Sequence, residues 1–338
     1  MSDAGAIPEW LGERLDGVLR AAGSTAPDIS QIAPLPGHAG LGFSFDATLP
    51  SLERRRLVVR TIADGVPPAG PADVVRQARI MQALGRLGFP TPAMLWFGND
   101  DPAFGRPFFI GAFVDGRQIP EDWREHRPHH RRLAERAIET MARLHDIDWR
   151  AVEGAWGDPV PLVHELERLH KLLDRPTINP DYVGRAFELG RRLAASIPGD
   201  LEIGCVHGDM HAGNMIFGDD EVLAVVDWEI AFVGPTLLDI GWVASFADPL
   251  AAIPDHADRP KRWVLSSDEM IDVYRAARRE PVPMGQIDWF RAFSHYRFGV
   301  ITLFNEMLHR RGKRHDPSWS EVVRSAPQMM QRGLDLLA

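Results

Sequence analysis

Apolar positions near the start of the chain recur at helical spacing. Trp10, Leu11, Leu15, Val18 and Leu19 share one face and predict a short amphipathic helix. Between about Gln31 and Ile62 the period shortens. Phe43, Phe45 and Ala47 alternate with Ser44 and Asp46, and Leu57-Val58-Val59 forms a second apolar run, so both stretches read as strands. The glycine-rich segment from Pro36 to Gly42 precedes the first of them. Val74, Ala78, Met81, Leu84 and Leu87 then define a helix stopped by Gly88 and Pro90. Two more strands are expected at Met94 to Phe97 and Pro107 to Val114.

Beyond Val114 the helical period dominates. Leu133, Ala137, Met141 and Leu144 make one helix, and Leu162, Leu166, Leu169 and Leu173 another. Phe187 with Leu193 and Ala194 marks a third. Strand character returns only from Gly204 to Phe217 and from Val222 to Trp228. Trp289 to His309 and Ser320 to Leu337 read as helices again. The pattern predicts an N-terminal lobe over residues 1–112 and a C-terminal lobe over 113–338. The hinge is expected near Phe113 to Asp115, beside Gly111 and Gly116.

Composition narrows the function classes. The chain has 338 residues, 45% hydrophobic and 25% charged, which suits a globular enzyme of two lobes. Its net charge is −9 and it has no long basic run, so no nucleic-acid partner is expected. One cysteine excludes an internal disulfide and a multi-cysteine metal site. No apolar run reaches the roughly 18–20 residues of a membrane helix. The first ten residues lack a basic start and an apolar core, so a cytoplasmic location without a membrane partner is expected. Nothing in the sequence sets an oligomeric state.

The chemistry concentrates between Val206 and Phe217. An apolar strand ends in His207-Gly208-Asp209-Met210-His211-Ala212-Gly213-Asn214, and a second begins at Met215. Further on, Val225-Val226 ends in Asp227. Asp209, Asn214 and Asp227 therefore stand at strand ends. A carboxylate and an amide oxygen are hard ligands suited to Mg²⁺, which keeps waters and substrate phosphates in its shell. Another carboxylate there can hold a substrate hydroxyl.

These residues resemble those of a known family. His207-Gly208-Asp209-x-His211-x-Gly213-Asn214, then Val226-Asp227-Trp228-Glu229, then Leu238-Asp239-Ile240-Gly241-Trp242, are similar to the aminoglycoside phosphotransferase family. Val58-Val59-Arg60 and Phe104 to Ile110 resemble more closely the kinase-like domain fused to some acyl-CoA dehydrogenases. The resemblance implies an α+β, bilobal protein-kinase-like fold. Its N-lobe would be small and β-rich with one inserted helix, its C-lobe larger and mainly helical. It implies an ATP- and Mg²⁺-dependent phosphotransferase acting on the hydroxyl of a small molecule.

Carried over residue by residue, Asp209 is the catalytic position, and Asn214 and Asp227 are the Mg²⁺ ligands. Asp239 and His207 support the catalytic loop. Gly37, Gly40 and Gly42 cover the triphosphate. Arg60 stands where the family has a phosphate-holding lysine, and Gln77 where a glutamate orients that lysine. Val58, Phe113, Ile216 and Val226 line the adenine slot. Arg60 can grip phosphate through its fork, and an amide can orient a guanidinium, so the pair reads as a retuned clamp. It also fits a second reading, a non-catalytic nucleotide- or metabolite-binding pseudokinase. A third is a metal-dependent hydrolase using Asp209, His211 and Asp227.

His211, Glu229, Trp242, His295 and Tyr296 are candidates for the substrate pocket. Cys205 is expected to be a buried apolar residue. From Arg291 to His315 there are six Lys or Arg and one Glu (Glu306). A basic pocket in that stretch would favour an anionic acceptor.

Overall fold

The computed structural model describes residues 7–35, 41–118, 128–175, 183–247, 264–313 and 316–338. The chain divides into two compact units. The first contains residues 1–117, 154–156 and 223–230, and the second contains the rest.

In the first unit, α1 (Trp10–Ala21) precedes β1 (Ser30–Pro34), β2 (Leu41–Thr48) and β3 (Arg54–Thr61). Then come α2 (Val74–Arg86), β4 (Met94–Gly98) and β5 (Phe108–Ala112). The sheet is antiparallel, in the order β1-β2-β3-β5-β4. Its alternation buries Phe43, Phe45, Leu57 and Val59, against which α1 lays Leu11, Leu15, Val18 and Leu19. α2 starts at Asp73, whose side chain accepts the Arg76 N–H at 2.9 Å, satisfying a donor the helix leaves open. It ends before Gly88, which adopts φ +76°, a conformation glycine takes without strain.

The separation in sequence was expected at 112/113. In the structure the first unit runs on to Arg117 and takes in two later segments. The reason is packing: Trp228 is fully buried and edges onto Phe89 at 6.0 Å and Trp156 at 5.8 Å between ring centroids. The Val225 N–H also donates to the Pro90 carbonyl at 2.9 Å.

Along the remaining chain lie α3 (Pro128–His145), α4 (Glu153–Trp156), α5 (Leu162–Leu173) and α6 (Gly184–Ala195). Short strands β6 (Ile203–Val206), β7 (Met215–Phe217), β8 (Val222–Val225) and β9 (Phe232–Pro235) follow. Helices α7 (Leu237–Phe246), α8 (Ser267–Ala277), α9 (Ile287–Arg310), α10 (Ser318–Val322) and α11 (Ala326–Leu336) complete it. β6 pairs antiparallel with β9, from Ile203 opposite Pro235 to Val206 opposite Phe232. α7 is buried along its length from Leu237 to Ser245 and packs on α9. Gly241 makes the close approach possible, since a Cβ there would meet the Phe290 backbone at 2.9 Å.

Two elements went beyond the periodicity reading. β1 is short and only half alternates. α8 opens on a capping box, with the Ser266 hydroxyl on the Glu269 N–H and the Glu269 carboxylate on the Ser266 N–H. Among the described residues, no helix is long and apolar enough to cross a membrane.

Candidate active site

The turn after β6 is held by one carboxylate. Asp239, in the first turn of α7, is fully buried. Its Oδ2 accepts the His207 N–H at 2.8 Å and its Oδ1 the Gly208 N–H at 2.8 Å. His145 of α3 adds a contact through Nε2 at 3.2 Å. Gly208 has φ +86°, which turns the chain sharply out of the strand. A buried carboxylate needs such donors to offset its lost hydration. His207 is buried too, and its Nδ1 accepts the Asp209 N–H at 3.2 Å.

That turn presents Asp209, whose side chain is one-third exposed. Its Oδ1 accepts the Trp242 indole N–H at 2.8 Å. Its Oδ2 accepts from the Asn214 amide at 3.3 Å and lies 3.5 Å from His211 Nε2. The Asn214 amide also donates to the Asp209 carbonyl at 2.9 Å. His211 Nδ1 accepts the Gly213 N–H at 3.0 Å, which leaves the Nε2 proton directed at Asp209. Burial by itself would raise the Asp209 carboxyl. The hydrogen bond and charge of His211, the charge of His207 and the Trp242 donor outweigh it and hold the group at about 2. Asp209 is therefore an ionised acceptor at any ordinary pH.

Arg297 of α9, which the sequence reading placed only in a basic stretch, joins this cluster. It donates from NH1 to the Gly208 carbonyl at 2.9 Å, and its guanidinium carbon lies 4.9 Å from the Trp242 ring centroid. A lone cation between Tyr296 and Phe298, on a face otherwise apolar, was the signal available in the sequence.

In the first unit, Arg60 on β3 faces Asp227, with NH1 3.5 Å from Oδ1. Asp227 has φ +67°, an unusual conformation for a residue with a side chain, and its Oδ1 is shielded from solvent without a hydrogen bond. Gly42 lies opposite Arg60 in the β2–β3 register. Gln77 departs from its expected part: it is buried, and its amide donates to the Pro71 carbonyl at 3.0 Å. The partner the structure gives Arg60 is Asp227.

The other expected positions divide. Val58 and Val226 are half-buried in the first unit, as is Phe113, which carries the Arg56 guanidinium over its ring at 4.1 Å. Glu229 belongs to this unit also. Ile216 is half-buried on β7 in the second. Gly37 and Gly40 lie outside the described residues. His295 and Tyr296 are packed inside the helical unit. Both are buried on α9, and the Tyr296 hydroxyl sits where a Cβ on Gly190 of α6 would fall 2.8 Å away. Cys205 is fully buried, and burial pushes its thiol up to about 12.

Two positions carry hard oxygens of the kind Mg²⁺ takes. In the second unit the Asn214 amide nitrogen is engaged with Asp209, which leaves its carbonyl oxygen as the atom able to face a cation. In the first unit Asp227 Oδ1 has no hydrogen bond. Among the described residues no group of three His, Cys, Asp or Glu is gathered as a metal site. Mg²⁺ is commonly held by one or two protein oxygens together with substrate phosphates.

Comparison with known proteins is consistent with this geometry. The profile of the family described as the phosphotransferase enzyme family matches residues 39–284. Acyl-CoA dehydrogenase family member 11 of Gallus gallus is 26% identical over 279 residues, covering 78% of this chain and 35% of that protein. The chain thus spans about a third of that relative. A Ralstonia eutropha JMP134 protein assigned to the aminoglycoside phosphotransferases has a solved structure with TM-score 0.76 and 22% identity, covering 96% of this chain and 98% of its own. The streptomycin–ATP ternary complex of APH(2")-IIa aligns with TM-score 0.61 and 14% identity, over 91% of this chain and 95% of its own. These likenesses show the kinase-like α+β fold.

Proposed function

Because this chain belongs to the phosphotransferase enzyme family, we propose that it transfers the γ-phosphate of ATP, with Mg²⁺, to a hydroxyl of a small molecule. The observation that carries this is Asp209: an ionised carboxylate on a turn clamped by Asp239, fixed by Trp242 and Asn214. A carboxylate held near 2 is a weak base. Its task is to accept the acceptor's O–H and aim the oxygen at the γ-phosphorus, the positioning that a loose phosphoryl-transfer transition state calls for. The new O–P bond forms as the bond from the γ-phosphorus to the β–γ bridging oxygen breaks. ADP leaves, and the hydroxyl proton passes through Asp209 to solvent.

Asn214 and Asp227 would hold Mg²⁺, which when bound offsets phosphate charge. Arg60 would take the α- and β-phosphates with its fork, and Gly42 lets the backbone come near them. Val58, Phe113, Ile216 and Val226 would line the adenine slot. The test is ATP turnover over a panel of hydroxylated acceptors. Asp209→Ala and Asp227→Ala should each abolish it, and retention of turnover in either variant counts against the mechanism.

One observation favours a second reading, a nucleotide-binding pseudokinase. Arg60 is already paired with Asp227, and Gln77 is engaged with Pro71. Under that reading MgATP raises the melting temperature of the chain while no acceptor is phosphorylated. Arg60→Lys with Gln77→Glu should then strengthen nucleotide binding.

A further inference from the structure

Arg297 is a cation without a carboxylate against it. Its contacts are the Gly208 carbonyl at 2.9 Å and the Trp242 ring at 4.9 Å, and among the described residues no ion pair reaches it. Its Nε is shielded from water with no hydrogen-bond partner. Burial lowers its pKa, with Glu165 and Asp209 acting the other way at longer range. A guanidinium nevertheless keeps its charge at ordinary pH. Sheltering such a charge without a counter-ion is costly, and the cost is relieved when an anion docks on it.

The other charges nearby are already matched. Glu165 is paired with Arg168 at 2.9 Å. The Asp239 carboxylate is taken up by His207, Gly208 and His145. Asp209 has His211 at 3.5 Å, whereas no ion pair among the described residues reaches Arg297. Trp242 touches both groups: its N–H binds the carboxylate and its π face carries the guanidinium. The indole thus lies against both the carboxylate and the guanidinium. A ligand with a hydroxyl and an oxyanion satisfies both.

We infer that the acceptor is an anionic hydroxy compound, its hydroxyl on Asp209 and its carboxylate or phosphate on Arg297. This rests on the phosphotransferase reading and adds the charge class of the acceptor. A cationic acceptor meets like charge at Arg297 and is disfavoured.

The experiment uses the full chain with MgATP and five probes: glycerate, glycerol 3-phosphate, glycerol, glyceramide and choline. Binding is read by calorimetry and transfer by ADP release. Glycerate, glycerol 3-phosphate or both should bind at least about tenfold more tightly than glycerol and glyceramide, the size expected of a charge-assisted hydrogen bond. The two anions separate a carboxylate from a phosphate preference. Arg297→Gln removes the charge and keeps an amide donor on a shorter side chain, and it should bring the anions down to the level of glycerol without changing MgATP affinity. Arg297→Lys should keep part of the preference. The inference is overturned if neither anion binds more tightly than glycerol, if choline does so, or if Arg297→Gln leaves the preference intact. Anion binding that depends on Arg297, without transfer that depends on Asp209 and Asp227, would sink the kinase reading and with it the acceptor assignment, leaving Arg297 as an anion-binding residue only.

Discussion

The indole N–H of Trp242 donates to Oδ1 of Asp209 at 2.8 Å, joining the middle of α7 to the turn after β6. The same helix supplies Asp239, which fixes the backbone of that turn. One element therefore sets both the position of the loop and the rotamer of its carboxylate.

Replacing Trp242 by Phe removes the donor and keeps most of the ring that packs on Phe246 and Phe298. A hydrogen bond to a charged group contributes about 1.5–3 kcal/mol. Turnover in Trp242→Phe should fall about tenfold or more, while KM for MgATP stays near the wild-type value. Steady-state kinetics at saturating acceptor checks this. A proportional rise in KM for MgATP with kcat unchanged would contradict the assignment.

How much of this was legible in the sequence depends on whether the contact is local. α1 and α2 announced themselves, because one apolar face per helix is written directly in residue spacing. The Asp209 turn was legible because its chemistry needs particular residue types at fixed offsets. Trp242 is legible as a pocket candidate, but α7 is buried along its length from Leu237 to Ser245, so no exposed face in the pattern marks the indole N–H as turned toward Asp209. The attachment of residues 223–230 to the first unit depends on Trp228 meeting Phe89 and Trp156, contacts that no period encodes. The burial of His295 and Tyr296 was not legible for a related reason: amphipathic side chains suit a pocket wall and a helix interface equally well.

A second polar network supports the helical unit. Arg278 donates to Asp146 at 2.7 Å, to Glu202 at 2.6 Å and to the Tyr274 hydroxyl at 2.8 Å. Tyr274 in turn meets His145, the residue beside Asp239. Arg278→Met leaves the Asp146 carboxylate, 8% exposed, with only the Arg279 N–H at 3.2 Å and its guanidinium at 3.9 Å, and should cost about 3 kcal/mol in urea unfolding at neutral pH. Burial by itself would raise the Glu202 carboxyl, but the hydrogen bond and charge of Arg278 outweigh it and lower its pKa. A carboxyl lowered in the folded state adds stability above its unfolded value, about 4.3, and loses it as pH falls through the folded value. Glu202 is more than a third exposed, so its own share is small. The wild type should therefore lose stability on acidification more steeply than Arg278→Met. Parallel pH curves would contradict this.

Cys205 is buried on β6, and its thiol is pushed up to about 12 by burial, with Asp148 and Asp239 adding to the effect. The thiolate is the reactive form, so the native chain should resist alkylation at mildly alkaline pH and react with one equivalent of reagent only in denaturant. Mass spectrometry after iodoacetamide treatment reads both states. Rapid labelling of the native chain would place Cys205 at an opening that this packing does not provide.

Gly241 stands between Asp239 and Trp242 on α7 and faces Phe290 of α9. In Gly241→Ala the new Cβ would lie 2.8 Å from the Phe290 Cβ and 2.9 Å from its carbonyl carbon, so backbone must move. Overpacking of this kind costs about 1–3 kcal/mol, and the strain is relieved by displacing α7 from α9. Such a shift acts on the active turn from two directions. Asp239 and Trp242 move with α7, while Arg297 stays with α9 and draws on the Gly208 carbonyl. The variant should thus lose transfer activity at temperatures well below its own melting point, by more than its stability loss explains. The Arg60 side should still bind nucleotide. Comparing kcat with thermal melting and MgATP affinity separates these effects. Loss of activity that only tracks unfolding would mean that the α7–α9 contact supports the fold without setting the geometry of Asp209.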